Sequence, residues 1–258
     1  MQALNTLRTH VFSYRDLIVG GWLWPPKLRI IRRRENEWKE TLENPSRQSS
    51  GCTALIDTAY MVVVSAIIGV VLGTLVALLL YLTENRLFTP NHALNVIVGF
   101  IVNAIRSLPF LILMVVLIPV AQLILGDPYT PTGGAISLSI AAVPFFARIA
   151  ESAFSEVDPG LLEAAISTGA TTRQIIVDAV FPQALPSFIR GVVLTIISLI
   201  GYSAMVGTIG AGGIGDMAIQ YGYNRYETGV LVVIVIILIV IVQIIQWIGD
   251  WFARKVMH

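Results

Sequence analysis

The sequence predicts an all-α, polytopic membrane protein with five transmembrane helices, and three observations carry that reading. Of its 258 residues, 55% are apolar and only 13% charged, with a mean hydropathy of +0.77, against about 25% charged in ordinary soluble domains. Uncharged runs recur at 58–82, 107–126, 191–215 and 229–249, each long enough for the ~20 residues of helix that cross a hydrocarbon core. Beyond residue 56 the basic residues gather in alternate loops, the pattern that orients membrane chains. A water-soluble globule is excluded.

Residues 1–56 read as an N-terminal extension, peripheral or disordered, and hold nine of the 17 Lys and Arg, including Arg32, Arg33 and Arg34. The stretch 11–24 is apolar in patches but contains Arg15 and Asp16 and is too short to span. Along 27–42, Leu28, Ile31, Trp38 and Leu42 share one helical face in an interfacial pattern, and 46–51 reads as a polar linker. The membrane domain then occupies 57–258. Its first span, 58–82, has Ser65, Gly69 and Gly73 at four-residue intervals, a small-residue face that lets another helix approach closely. Residues 93–105 are weakly amphipathic and end at Arg106. The second span, 107–125, takes Pro109 in its first turn, and Pro119 is expected to kink it. The third, 135–154, carries Arg148 and Glu151 on one face near its end. Segment 155–188 interrupts the membrane pattern. The fourth span follows at 191–208, a glycine- and tyrosine-rich loop covers 209–228, and the fifth span is 229–250.

Five spans put the termini on opposite sides. With 155–188 in the cytoplasm, the inner regions hold Arg86, Arg106, Arg148, Arg173, Arg190, Arg254 and Lys255, and the outer loops hold only Arg225. That bias predicts an outside N-terminus and a cytoplasmic C-terminus. The three histidines, His10, His92 and His258, lie far apart, and Cys52 is the single cysteine, so neither a metal site nor an internal disulfide is expected.

In segment 155–188, Asp158 is placed to cap a helix opening at Pro159, and Gly169 to close it in the left-handed conformation. Thr171 or Thr172 starts a second short helix that must stop before Pro182. The first helix presents Glu163, Ala164 and Ala165: two methyl-sized side chains that let it sink into a groove, and an acid that accepts a charge-assisted hydrogen bond. Glu163-Ala164-Ala165, then Gly169, then Phe181-Pro182 twelve positions on, resemble the EAA loop of ATP-binding-cassette importer permeases. Ala179 stands where that loop usually has isoleucine, and Phe181 where it has leucine. Arg106-Ser107-Leu108-Pro109-Phe110, Gly201-Tyr202-Ser203-Ala204-Met205 and the run from Gly210 to Gly215 are similar to the methionine-importer branch of that family, and the resemblance covers residues 55–258.

The resemblance implies a cytoplasmic helix-Gly-helix coupling loop in which Glu163, Ala164, Ala165, Gly169, Phe181 and Pro182 meet a separate ATPase subunit. It also implies a homodimer with two ATPase subunits inside and an extracytoplasmic substrate-binding protein, set in the bilayer of a bacterial cytoplasmic (inner) membrane. ATP and Mg would belong to the ATPase partner: the chain has no GxxxxGK[ST] motif, and it is expected neither to be an enzyme nor to carry a cofactor. Ser203 and Met205 would line the translocation path, with Met205 either a gate or a packing residue. Gly210, Gly212 and Gly213 belong to a run that formally satisfies GxGxxG, but it follows an apolar helix and no acid lies about twenty positions on. Dinucleotide binding is therefore set aside. These glycines serve either close packing against a symmetry mate or gating. The alternative class is an ATP-independent secondary transporter or channel; the lack of an acid deep in a span and the odd number of spans weigh against it. No nucleic-acid partner is expected.

Overall fold

The computed structural model describes residues 45–84, 88 and 90–256; the readings for 11–24 and 27–42, and those for Arg86 and His258, lie outside the described residues. Helix α1 (Pro45–Glu84) is unbroken over 40 residues, about 60 Å at 1.5 Å per residue. It begins ahead of the expected span, so 46–51 is helical and not a linker, and it runs through residues 56 and 57 without interruption. Once the apolar run has nucleated a helix, each added residue costs only propagation. The added turns also have a support: Leu55 packs beside Ile214, Val230 and Ile234, and the Thr58 hydroxyl accepts from the Ile214 N–H at 2.8 Å.

A second helix, α2 (His92–Ser107), forms where only weak amphipathicity was expected, started by Asn91, whose side chain accepts from the Leu94 N–H at 3.1 Å. Helix α3 (Phe110–Leu125) then leaves it at 108°. Pro109 causes the break, because it has no N–H and holds Leu108 extended at φ −78°, ψ 131°. The expected second span therefore starts at Phe110 and not at 107. With 16 residues α3 is about 24 Å long, short of the ~30 Å hydrocarbon core.

Helix α4 (Pro131–Ser155) is the centre of the bundle, with Leu138, Phe146, Ala147 and Ala150 fully buried. Thr130 caps it, and Pro131 occupies the first turn, where the missing N–H is no loss. The small-residue face of α1 packs along it. A β-carbon on Gly69 would come within 2.6 Å of the Ala142 Cβ, one on Gly73 within 2.9 Å of the Val143 carbonyl oxygen, and Ser65 donates to the Ala135 carbonyl at 3.0 Å.

After α5 (Pro159–Ser167), the second helix of the 155–188 segment does not stop before Pro182. Instead α6 (Thr172–Gln174) enters a π-helical turn, Ile175–Val180, which passes directly into α7 (Phe181–Thr208). The Phe181 N–H bonds to the Ile176 carbonyl, the i−5 partner of the wider turn. Pro182 then falls in the opening turn of the α-helical part, where its missing N–H does not break a ladder. The expected fourth span, 191–208, is thus the distal half of a continuous stretch from 172 to 208. The region 209–228, expected as a loop, holds α8 (Gly213–Met217) and a second π-helical turn, Ala218–Tyr223, before the final helix α9 (Thr228–Val256). Four stretches, α1, α4, 172–208 and α9, are long and apolar enough to cross a membrane, and the count is five when the bent α2–α3 pair is taken as one span. All regular structure among the described residues is helical.

Candidate functional site

Helix α5 is built as a rigid, surface-bound peg. The Asp158 carboxylate accepts from the Gly160 N–H at 2.8 Å, and Pro159 supplies the pre-set first turn. At the other end the Ala170 N–H reaches back to the Ala165 carbonyl at 3.1 Å and the Gly169 N–H to Ile166 at 2.9 Å, with Gly169 at φ +82°. These are the two bonds of a Schellman motif, and Ala165 and Ala170 each pack against the inner core cluster. Thr171 then opens α6 with a capping box: its hydroxyl accepts from the Gln174 N–H, and the Gln174 side chain accepts from the Thr171 N–H at 2.9 Å.

One face of this peg is anchored. Leu162, Ile175 and Val180 are buried with Ala150, Ala153 and Phe154 of α4. Phe188 of α7 packs its ring 5.2 Å from Phe146, 6.2 Å from Phe154 and 5.5 Å from Phe181, separations at which aromatic pairs attract beyond their buried area. The opposite face is open. Glu163 and Ala164 are exposed, as are Leu161, Ile166, Val177 and Phe181. No hydrogen bond engages the Glu163 carboxylate among the described residues. Of the six residues expected on the coupling face, Glu163, Ala164, Gly169, Phe181 and Pro182 are exposed, while Ala165 is turned partly into the core.

Above this face, the ends of α1 and α4 and the start of α7 surround an open cavity of 770 Å³ whose walls include Glu84, Arg106, Arg148, Glu151, Glu156 and Ser187. The expected Arg148–Glu151 pair is present, with N–O distances of 2.8 and 3.0 Å. Its unforeseen partner is Asn103 of α2, whose Oδ1 accepts from Arg148 Nε at 3.2 Å. Polarity at a single position in a weakly amphipathic stretch gives no sequence signal for such a contact.

Toward the other end, Ser203 and Met205 part company. Ser203 is 2% exposed and donates to the Ile200 carbonyl, whereas Met205 is 42% exposed. Residues two apart on a helix point to nearly opposite sides, so Ser203 faces the chain's own interior and not the surface that carries Met205. Met205 shares that surface with Leu194, Gly201 and Thr208, one stripe at helical spacing. Gly210, Gly212 and Gly213 all have positive φ, 90°, 81° and 85°, and the neighbours of Gly213 are Thr58 and Met61 of the same chain. The closest approach in this region was not foreseen: a β-carbon on Gly207 would overlap the backbone of Gly215 and Asp216, and one on Gly215 would overlap Ala204.

A bent-helix bundle with a surface peg between its third and fourth crossings is the architecture of an importer permease, and residues 69–258 match the family model described as the binding-protein-dependent transport system inner membrane component. The chain belongs to that family and is a permease subunit of an ATP-binding-cassette importer. It is 47% identical over 206 residues to the probable D-methionine transport system permease protein MetI of Vibrio cholerae, covering 80% of this chain and 92% of that one. It is 39% identical over 172 residues to the methionine import system permease protein MetP of Bacillus subtilis, covering 67% and 78%. Among solved structures it is similar to a chain of the MetNI methionine ABC transporter in an inward-facing conformation, with a TM-score of 0.81, 37% identity, and 83% and 99% covered.

Proposed function

We infer that this chain forms the membrane path of a methionine importer, working as a homodimer with two ATPase subunits on the cytoplasmic side and a substrate-binding protein on the other. The similarity to methionine permeases supports the substrate. The observation that carries the mechanism is α5: a helix with its inner face locked to α4 and α7 and an outer face bearing Glu163 and Ala164. ATP and Mg bind the ATPase partner. Closure of the ATPases pushes α5, and because Leu162, Ile175 and Val180 share one packed cluster with α4, the push moves whole helices and does not bend a loop. The α7 stripe through Gly201 and Met205 is the face for the second copy, with Met205 at the narrowing of the path. The basic residues at the α5 end, Arg106, Arg148, Arg173 and Arg190, support a cytoplasmic position for that end and for the C-terminus.

The test is reconstitution. Liposomes holding this chain, its ATPase partner and the binding protein are expected to take up methionine only with ATP. Equal uptake without the ATPase subunit would replace this reading with a secondary transporter.

A further inference from the structure

Of the charges lining the cavity above the coupling face, Arg106, Glu84 and Glu156 have no ion-pair partner among the described residues. Arg148 and Glu151 neutralise each other, and Glu156 accepts from Ser187. Arg106, in the last turn of α2, and Glu84, at the end of α1, line the same cavity, and neither has an ion-pair partner among the described residues. Both are within electrostatic reach of Glu151. Arg106 is also the shared wall between this cavity and a smaller one of 160 Å³, formed at the α2–α3 bend and lined by Phe110, Phe145, Leu113 and Tyr202. There Phe110 and Tyr202 stack at 4.4 Å, which fixes the hollow's aromatic wall.

The two compartments meet different chemistries. A free anion would face three carboxylates in the larger cavity and a free cation would face two guanidiniums, so neither is matched. A zwitterion is matched: a guanidinium takes a carboxylate in a two-pronged hydrogen-bonded pair, and a carboxylate takes an ammonium. The aromatic hollow next to Arg106 suits an apolar tail, and a thioether in particular, since sulfur is attracted to aromatic rings. We propose that Arg106, Glu84 and the Phe110–Tyr202 hollow form a station for a zwitterionic α-amino acid along the path, with Arg106 on the carboxylate and Glu84 on the ammonium. Choosing methionine as the occupant rests on the importer reading above.

The experiment measures binding of radiolabelled L-methionine to the full-length chain in nanodiscs, competed by methioninol, which lacks the carboxylate, and by 4-(methylthio)butyrate, which lacks the amine. Saturable binding is expected, with each analogue weaker by about tenfold or more, the loss of one charge-assisted hydrogen bond. Arg106→Gln is expected to abolish the preference for methionine over methioninol, with Arg106→Lys restoring part of it. Glu84→Gln is expected to abolish the preference over 4-(methylthio)butyrate. The two selective losses separate recognition from folding: should Arg106→Gln not fold, Glu84→Gln alone carries the test. Methionine uptake by the wild-type complex is measured in parallel. Normal uptake with no saturable binding, or with both preferences intact in the variants, overturns the station and leaves the importer reading standing. Absence of uptake overturns that reading and the choice of methionine with it.

Discussion

Arg148 of α4 holds Asn103 of α2 across 45 positions of sequence, its Nε donating to the amide oxygen at 3.2 Å while its Nη1 binds both oxygens of Glu151. One guanidinium thus ties the bent α2–α3 pair to the central helix and neutralises a carboxylate that is 7% exposed. Arg148→Ala is expected to destabilise the chain by roughly 3–5 kcal/mol, because a buried carboxylate is left unpaired. Arg148→Ala with Glu151→Ala is expected to cost clearly less than Arg148→Ala alone. Thermal melting of the three proteins in one detergent checks the order.

Gly169 stands at φ +82° with nothing within 4 Å of where a β-carbon would lie. Side-chain bulk therefore meets no obstacle in this chain, and the cost of replacement is conformational. Gly169→Val is expected to lose about 1–2 kcal/mol and to misdirect α6, whereas Gly169→Asn, a residue that tolerates the left-handed region, is expected to be milder. Melting, and co-purification with the ATPase subunit, read both effects.

Glu163 makes no contact that stabilises the fold, so Glu163→Ala is expected to leave the melting temperature unchanged. Its affinity for the ATPase subunit is expected to fall by about tenfold or more, measured by surface binding of the ATPase to the reconstituted chain. A drop in melting temperature with unchanged assembly would place Glu163 in the fold and remove it from the coupling face.

Met205, being 42% exposed in the single chain, lacks the enclosed packing whose loss costs a buried methionine several kcal/mol. Met205→Ala is expected to melt close to wild type and to raise ATP hydrolysis in the absence of substrate. Liposome flux and ATPase rate on one preparation decide between a gate and a packing role.

Orientation is open to a direct chemical check. In a Cys52→Ser background, cysteines at Tyr129 and Tyr223, both exposed at the α5-distal end, are expected to react with an impermeant reagent in intact cells. A cysteine at Arg173 is expected to be protected. Labelling at 173 would invert the assignment.

The long crossings were legible because hydrophobic length is a one-dimensional signal: 58–82, 135–154 and 229–250 all lie inside observed helices. The small-residue stripe on α1 was legible for the same reason, since a four-residue repeat needs no tertiary knowledge. Helix α2 was under-read: its apolar residues recur at helical spacing and Asn91 caps it, and only its tie to α4 through Arg148 and Asn103 lies beyond local pattern. Proline misled at Pro182: the rule that it ends a helix assumes an α-ladder in front of it, and a π-helical turn removes that ladder. The helix-Gly-helix segment was readable from its caps, Asp158, Gly169 and Thr171, which are local by nature. The opposite facing of Ser203 and Met205 needed the packing of α7 before it was visible.

The unbroken stretch from Thr172 to Thr208 is 37 residues, or about 55 Å, with α5 at its foot and Met205 near its tip. Such a stretch works as a lever arm: a tilt of about 10° at the foot sweeps the tip sideways by roughly 9 Å over this length. A helix ended at Pro182, as the sequence implied, would have put a loose joint between foot and tip, and small displacements of α5 would have been absorbed there.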